Sequence, residues 1–313
     1  MAGVIAIGEC MGELSLGEAG AARIGYAGDT FNTAVYLRRL GLAVSYASAV
    51  GRGDPFSIGI LAALADEGIG RELVVEAPGR LPGLYAIERD AKGERSFFFW
   101  RSEAPARDYL KLADLGQLGA ALNAADLIIV SAISLAVIGE AGRATLSELL
   151  AAAKAAGAAV VFDTNYRVKL WPGPEVGRAA IEAMLPHCRY LSLSQGDVAA
   201  FEGGDAGAMA RVWAARGLEV LLRHDDHRID VLTSDGVEAF AAGPAINVVD
   251  TTGAGDSFNA GYLAMRLKGG SVADAVTAGR ALASVVVGYP GAIIPKSAMP
   301  APRAWAVVKR SLR

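Results

Sequence analysis

Short apolar runs alternate with longer stretches of helical period along nearly the whole chain. The runs Val4–Ile7, Val44–Ala49, Leu127–Val130, Ala158–Phe162, Tyr190–Leu193 and Val220–Arg223 are mainly apolar, interrupted only by Ser45, Ser48, Ser192 and the closing Arg223, as strands buried on both faces of a parallel sheet are. Ile229–Thr233 and Val237–Ala241 suit a terminal meander, and Ile246–Val249 a further short strand. Between them, helices are predicted over Thr30–Leu40, Phe56–Glu67, Leu112–Asn123, Gly142–Ala156, Glu175–Leu185, Asp205–Arg216, Asp256–Leu267 and Val272–Val287. This order gives a doubly wound α/β fold: a mainly parallel sheet flanked by helices, with ligands bound off the carboxyl ends of the strands.

Two segments break the pattern. Residues 11–26 and 83–101 are rich in small, aromatic and alternating positions without helical period, which predicts short strands outside the main sheet, a small β lid. Phe97, Phe98, Phe99 and Trp100 would be costly on an open surface, so the lid is expected to cover a ligand and to pair with a second subunit. The expected assembly is a homo-oligomer, a dimer or larger. No linker or repeat divides the chain, so residues 1–313 are expected to form one domain with the lid segments inserted in it.

The chemistry concentrates in Asp250-Thr-Thr-Gly-Ala-Gly-Asp256-Ser-Phe258. Phe258, Tyr262, Leu263 and Leu267 recur at helical spacing behind it, so Gly253 and Gly255 make a tight turn that opens a helix. The N–H groups of Gly253, Ala254, Gly255 and Asp256 then converge on a point favouring negative charge, an anion hole for a phosphate. A carboxylate there would repel the phosphate unless it had separate work, and the expected work of Asp256 is to take a proton from an attacking hydroxyl. A dinucleotide fingerprint fails for want of a third glycine. An esterase reading of Ser257 lacks a following histidine, since His187, His224 and His227 all precede it. A glycine turn with Asp256 as a plain helix cap is the remaining alternative.

Composition narrows the partners. A chain of 313 residues, 53% of them hydrophobic, has ample material for a core. With 30 basic against 33 acidic residues and no long basic run, there is no electrostatic reason to expect nucleic acid or a membrane surface. Cys10 and Cys188 lie far apart without metal-ligand spacing, so buried thiols in a reducing, cytoplasmic compartment are expected. The first apolar run ends at Ile7 and has no basic flank, as expected of a strand rather than a signal peptide.

The segment Asp250–Phe258, preceded by Gly28-Asp-Thr-Phe-Asn32-Thr-Ala and Arg38-Arg-Leu-Gly41, resembles the paired signatures of the PfkB (ribokinase-like) sugar kinases. Gly83-Leu-Tyr85, Gly93-Glu-Arg-Ser-Phe97, Trp100-Arg101, Phe162-Asp-Thr-Asn-Tyr-Arg167 and Pro290-Gly-Ala-Ile-Ile-Pro295 resemble the 2-keto-3-deoxygluconate kinases within that family. The resemblance implies a ribokinase-like fold, ATP with Mg2+, and phosphorylation of the terminal hydroxyl of that sugar acid. A related kinase for a neutral ketose or a nucleoside, and a catalytically silent sugar-binding protein, are the alternatives.

On the same resemblance Asp256 is the catalytic base, with a pKa that the helix N-terminus should lower. Gly28, Asp29 and Asn32 contact the sugar, Tyr85, Phe99 and Trp100 pack on its carbon chain, and Arg101 and Arg167 grip its carboxylate. Phe99 stands where relatives commonly carry Tyr. Asn165, Arg167, Ser194, Arg223, Arg228, Gly253 and Gly255 are expected around ATP, and Asp197 near magnesium through water. Ser194 and Asp197 replace both side chains of the family's Asn-x-x-Glu element. Asp250 and Thr252 correspond to positions near a monovalent-cation site, which would take K+. The largest departure is Arg223-His-Asp-Asp-His-Arg228, which stands for a Lys-x-Gly-x-x-Gly turn and has neither glycine; Asp225 and Asp226 would repel a phosphate they faced. As a metal site, the His-Asp-Asp-His run lacks the usual ligand spacing.

Overall fold

A computed structural model describes residues 3–17, 21–89, 95–201, 204–244 and 247–300. The chain opens with β1 (Gly3–Ile7), leaves the body through β2 (Met11–Leu16) and β3 (Ala22–Ala27), and returns in α1 (Asp29–Arg39), β4 (Ala43–Gly51), α2 (Pro55–Asp66) and β5 (Gly70–Ala77). A second excursion, β6 (Leu84–Arg89) and β7 (Arg95–Trp100), leads back to α3 (Tyr109–Leu112), α4 (Leu115–Asn123), β8 (Leu127–Ser131) and α5 (Ala132–Ala155). Then follow β9 (Ala159–Asp163), α6 (Pro174–Met184), β10 (Tyr190–Ser194), α7 (Gln195–Phe201), α8 (Ala206–Ala214), β11 (Glu219–Arg223), β12 (Ile229–Thr233), β13 (Gly236–Phe240), α9 (Ala254–Leu267) and α10 (Val272–Val286).

The main sheet has the order β13-β12-β11-β10-β9-β8-β1-β4-β5 and is parallel except for β12 and β13. Successive residues of its strands feed two different cores, because side chains alternate across a sheet. Ile5, Ile7, Ile128, Val130, Val160, Phe162, Leu191 and Leu193 face one layer, with Leu146, Ile181 and Trp213 of the helices α5, α6 and α8. Val4, Ala6, Leu127, Ile129, Val161 and Tyr190 face the other, with Phe31, Tyr262, Leu263 and Leu282 of α1, α9 and α10. Each such buried aliphatic side chain stabilises the fold by roughly 1.5–3 kcal/mol. The lid is a separate sheet of order β3-β2-β6-β7.

Several boundaries depart from the sequence pattern for local reasons. Asn247–Val249 form no strand: the amides of Val249 and Asp250 donate to the Val287 carbonyl at the end of α10 (2.8 and 3.1 Å) rather than to a sheet neighbour, and Ile246 lies outside the described residues. The predicted helix at 142–156 begins at Ala132, capped by Ser131, and bends at Gly139, whose backbone is left-handed. The predicted helix at 112–123 breaks at Asp114, which accepts from the amides of Gly116 and Gln117 and so starts α4. Neither β5 nor α7 was expected; β5 is an edge strand carrying Arg71, Glu72 and Glu76. Among the described residues no helix is long and apolar enough to cross a membrane. Both thiols are buried and free, and burial pushes Cys188 up to about 12.

Candidate active site

The carboxyl ends of the parallel strands and the N-termini of α1 and α9 meet in one place, under the lid. Thr251 to Ala254 form a turn in which the Ala254 amide donates to the Thr251 carbonyl (3.2 Å) and Gly253, at the third position, adopts φ 76° and ψ 3°. That is the geometry of a type II turn, which asks for glycine there. A Cβ at Gly253 would also come within 2.7 Å of the Ala292 carbonyl oxygen. The turn corrects one expectation: the Ala254 amide is spent inside it, whereas the amides of Gly253, Gly255 and Asp256 have no backbone partner among the described residues, Gly255 and Asp256 standing in the open first turn of the helix.

Asp250 anchors this turn. Its Oδ1 accepts from the Thr252 amide (2.8 Å) and its Oδ2 from the Gly291 amide (2.9 Å), tying the motif to the loop at 290–294. Tyr36 of α1 holds the same loop, donating to the Ala292 carbonyl (2.6 Å) and accepting from the Ile294 amide (3.2 Å).

Asp256 is buried at the first turn of α9, and its Oδ2 accepts from Asn32 Nδ2 of α1 (2.8 Å). Burial pushes its pKa up to about 8, the charge of Asp29 and then Asp163 adds to the rise, and Asn32 and Arg223 oppose it. The expectation that the helix N-terminus would lower this pKa is therefore corrected: loss of water and two neighbouring carboxylates outweigh the helix field.

Around this base the other groups hold one another. Asp29 accepts from the Thr30 amide (2.8 Å) and from Asn165 Nδ2 (3.0 Å), so Asn165 joins the loop after β9 to α1. Asp197 accepts from Thr164 Oγ1 (2.7 Å) and the Tyr166 amide (2.9 Å), and Ser194 Oγ accepts from the Asp197 amide (3.0 Å), starting α7. These two residues thus shape the 163–167 loop. Each Asp197 oxygen keeps a lone pair beyond those bonds.

Arg223, at the end of β11, lies over the anion hole: its Nη1 would be 2.9 Å from a Cβ at Gly255. Nη2 donates to Asp163 Oδ1 (3.4 Å), while Nη1 is buried with no hydrogen-bond partner among the described residues. A buried guanidinium nitrogen left open beside two free amides fits a phosphate oxygen. Arg228 does not join it. The turn after β11 is closed by His227 in a left-handed backbone (φ 66°), and Arg228 stays within the hairpin against His224 (3.3 Å) and Asp230 (3.5 Å).

Sequence reasoning assigned no role to Asp163, Asn259 or Glu13. Asn259 donates to Asp163 Oδ2 and accepts from Ser192 Oγ (2.9 Å each), and burial raises Asp163 to about 6 although Arg223 opposes the rise. A polar residue closing an otherwise apolar strand, as Asp163 closes β9, was the available signal. Glu13 of the lid is buried and accepts from the Tyr85 hydroxyl.

The lid's strand pairing sorts its aromatics. Tyr85 is opposite Phe99 and stacks on it (5.7 Å between ring centres), with Phe97 on the same face. Trp100 is opposite Leu84 and Phe98 opposite Ala86, on the other face. The expectation that Trp100 packs on the sugar's carbon chain beside Tyr85 is thereby corrected: alternation turns it to the opposite face of the sheet. Arg167 is exposed beyond Tyr166, and Arg101 is paired with Glu9. Gly93 and Glu94, part of one resembling segment, lie outside the described residues.

A doubly wound body with a β lid, an acid at the start of a central helix and open amides beside it define a ribokinase-like kinase. The pfkB family carbohydrate kinase model matches residues 1–299, and the chain belongs to that family. It is 43% identical over 306 residues to 2-dehydro-3-deoxygluconokinase of Dickeya dadantii (strain 3937), covering 94% of this chain and 97% of that protein. To the protein of the same name from Escherichia coli (strain K12) it is 40% identical over 310 residues, covering 95% and 99%. A fructokinase with bound ATP from Xylella fastidiosa shares the fold with a TM-score of 0.80 at 22% identity, covering 95% of both chains.

Proposed function

We propose that this protein transfers the γ-phosphate of ATP to the terminal hydroxyl of 2-keto-3-deoxygluconate, as one domain acting in the cytoplasm. The observation that carries the reading is the Asn32-held carboxylate of Asp256 beside the Gly255 and Asp256 amides and the open Nη1 of Arg223. The relatives at 40–43% identity support the choice of sugar acid.

The roles follow from the geometry. With Oδ2 occupied by Asn32, Oδ1 of Asp256 takes the hydroxyl proton as the sugar oxygen bonds to phosphorus and the bond from phosphorus to the ADP oxygen breaks. A carboxylate whose pKa burial has raised to about 8 is a stronger proton acceptor once ionised, and because only the ionised fraction is active, turnover should rise with pH up to about 8. The Gly255 and Asp256 amides and Arg223 stabilise charge on the transferred group. Gly28, Asp29, Asn32, Glu13 and Tyr85 form the sugar side, with Phe99 packing where a hydroxyl-bearing ring is common. Mg2+ would neutralise phosphate charge when bound, and Asp197, whose oxygens each keep a lone pair beyond their bonds to Thr164 and Tyr166, would hold its water shell. The carboxylate and turn of Asp250 and Thr252 are the place for K+.

Arg167 and Arg101 are the two cations proposed for the substrate carboxylate. Arg167→Ala and Arg101→Ala should each lower kcat/KM for the sugar acid by at least about tenfold, since a charge-assisted hydrogen bond contributes roughly 1.5–3 kcal/mol. Arg167→Lys should recover part, lacking the forked donors. The check is the ratio of kcat/KM for the acid to that for a neutral ketose; if both alanine variants leave it unchanged, the acid reading fails and a neutral-sugar kinase replaces it.

The lid also supports the proposed homo-oligomer. Its inner face carries the buried Glu13 and Tyr85, while Ile24, Phe98 and Trp100 on the outer face are 55%, 47% and 59% exposed and the inner-face Phe97 and Phe99 are open to a similar degree, 43% and 51%. A second copy of this apolar face is the partner we assign. Light scattering at micromolar concentration should give at least a dimer, and Phe98→Glu should shift it toward monomer; a monomeric, fully active wild type would refute the assignment.

A further inference from the structure

The lid joins the body at four crossings: residues 8–10 between β1 and β2, Gly28 between β3 and α1, residues 78–83 between β5 and β6, and the stretch that starts at Arg101 after β7. All four meet at Glu9. A Cβ on Gly28 would come within 2.1 Å of the Glu9 carbonyl oxygen, and a Cβ on Gly83 within 2.5 Å of Glu9 Oε1. Glu9 Oε2 accepts from Arg101 Nη2. Glu9 is only 4% exposed, and its Oε1 has no hydrogen-bond partner among the described residues.

This packing fixes one end of a side chain that is otherwise long and flexible. A guanidinium is planar, so a carboxylate holding one of its nitrogens also sets the directions of its other N–H donors. Glu9 can do this because the Gly83 backbone closes on its carboxylate while the Gly28 backbone closes on its main-chain carbonyl, so both ends of the side chain have little room to follow Arg101. The pair has no net charge. Whatever preference Arg101 gives for a carboxylate must then come from donor direction at short range more than from a long-range field, with Arg107 adding positive charge on the Glu9 side.

We infer that Glu9 is a positioning residue that orients Arg101 toward the substrate's carboxylate and so sets the preference for a sugar acid over a neutral sugar. The inference rests on the proposed sugar-acid reading. It assigns Glu9 no contact with the reacting atoms; it acts through Arg101, and the lid crossings are its frame.

Two near-isosteric variants separate position from charge. Glu9→Asp keeps the charge and shortens the reach by one methylene, while Glu9→Gln keeps the reach and an acceptor oxygen and loses the charge. Steady-state kinetics with 2-keto-3-deoxygluconate and with D-fructose should show the acid-to-ketose ratio of kcat/KM falling at least about fivefold in Glu9→Asp, mainly through KM for the acid. Glu9→Gln should hold the ratio at or above the wild-type value. If Glu9→Asp keeps the wild-type ratio, or Glu9→Gln loses as much as Glu9→Asp, the positioning role is wrong. A wild-type protein that uses the ketose better than the acid would instead overturn the sugar-acid reading itself, whatever the two variants do. Circular dichroism of both variants and a melting curve confirm that the kinetics report folded protein.

Discussion

Asp256→Asn should lower kcat by about 10³-fold or more and at the same time make the protein more resistant to heat. The kinetic loss follows from the work of the carboxylate, since a positioned general base contributes roughly 10²–10⁴-fold and Asn has no site for the proton. Binding of sugar should persist, because Asn can still meet Asn32 and the hydroxyl by hydrogen bonds, so KM should move far less than kcat. The stability gain follows from linkage. In the folded protein Asp256 holds its proton up to about pH 8, whereas its ordinary pKa is 3.8. Between those values the unfolded chain binds fewer protons than the folded one, so the residue favours unfolding increasingly as pH rises from about 4 to about 8. Asn removes that bias. Melting curves at pH 5 and pH 8 should show the variant gaining on the wild type, by on the order of a few °C more at the higher pH. Turnover above a tenth of wild type would sink the base; a variant destabilised at pH 8 would show that the carboxylate is ionised in the fold.

The parts of this fold that were legible in the sequence are those in which every residue of a run has the same surroundings. β1, β4, β8, β9, β10 and β11 are mainly apolar because helices cover both faces of the sheet, and all appear within a residue or two of the predicted bounds. β5 was not legible because it is an edge strand, where one side is wet and Glu72 and Glu76 are tolerated. The turn at 251–254 announced itself through Gly253, but not that the turn would consume the Ala254 amide, which depends on its closing hydrogen bond. Asp256 was identifiable from its position on a helix start. Its raised pKa was not, since the burial that causes most of it and the carboxylates of α1 and β9 that add to it depend on elements far away in sequence. The Glu9–Arg101 pair was hidden for the same reason: the two residues are separated by the entire lid, and only its return to the body brings them together.

Removal of the Arg223 guanidinium should cost on the order of 10²-fold in kcat/KM for ATP, from the loss of more than one charge-assisted hydrogen bond to phosphate at ~1.5–3 kcal/mol each, less what water restores. Arg223 is the cation whose open Nη1 lies over Gly255, whereas Arg228 is held in the hairpin by His224 and Asp230. Arg228→Ala should therefore stay within about threefold of wild type for ATP, and the contrast between the two variants tests the assignment better than either alone. Arg223→Lys should recover only part, because one ammonium cannot meet Asp163 and reach the anion hole together. A second effect has to be separated from the first. Without Arg223, Asp163 loses the cation that opposes its raised pKa, and a buried carboxylate in that position takes up a proton more readily. If the ATP defect came from that change, Asp163→Asn would reproduce it with Arg223 in place. If it comes from the missing phosphate contact, Asp163→Asn should lose much less than Arg223→Ala, and the double variant should be no worse than Arg223→Ala. Equal losses in Arg223→Ala and Arg228→Ala would place the nucleotide along the whole hairpin, against Asp225 and Asp226, and the phosphate site over Gly255 would have to be abandoned.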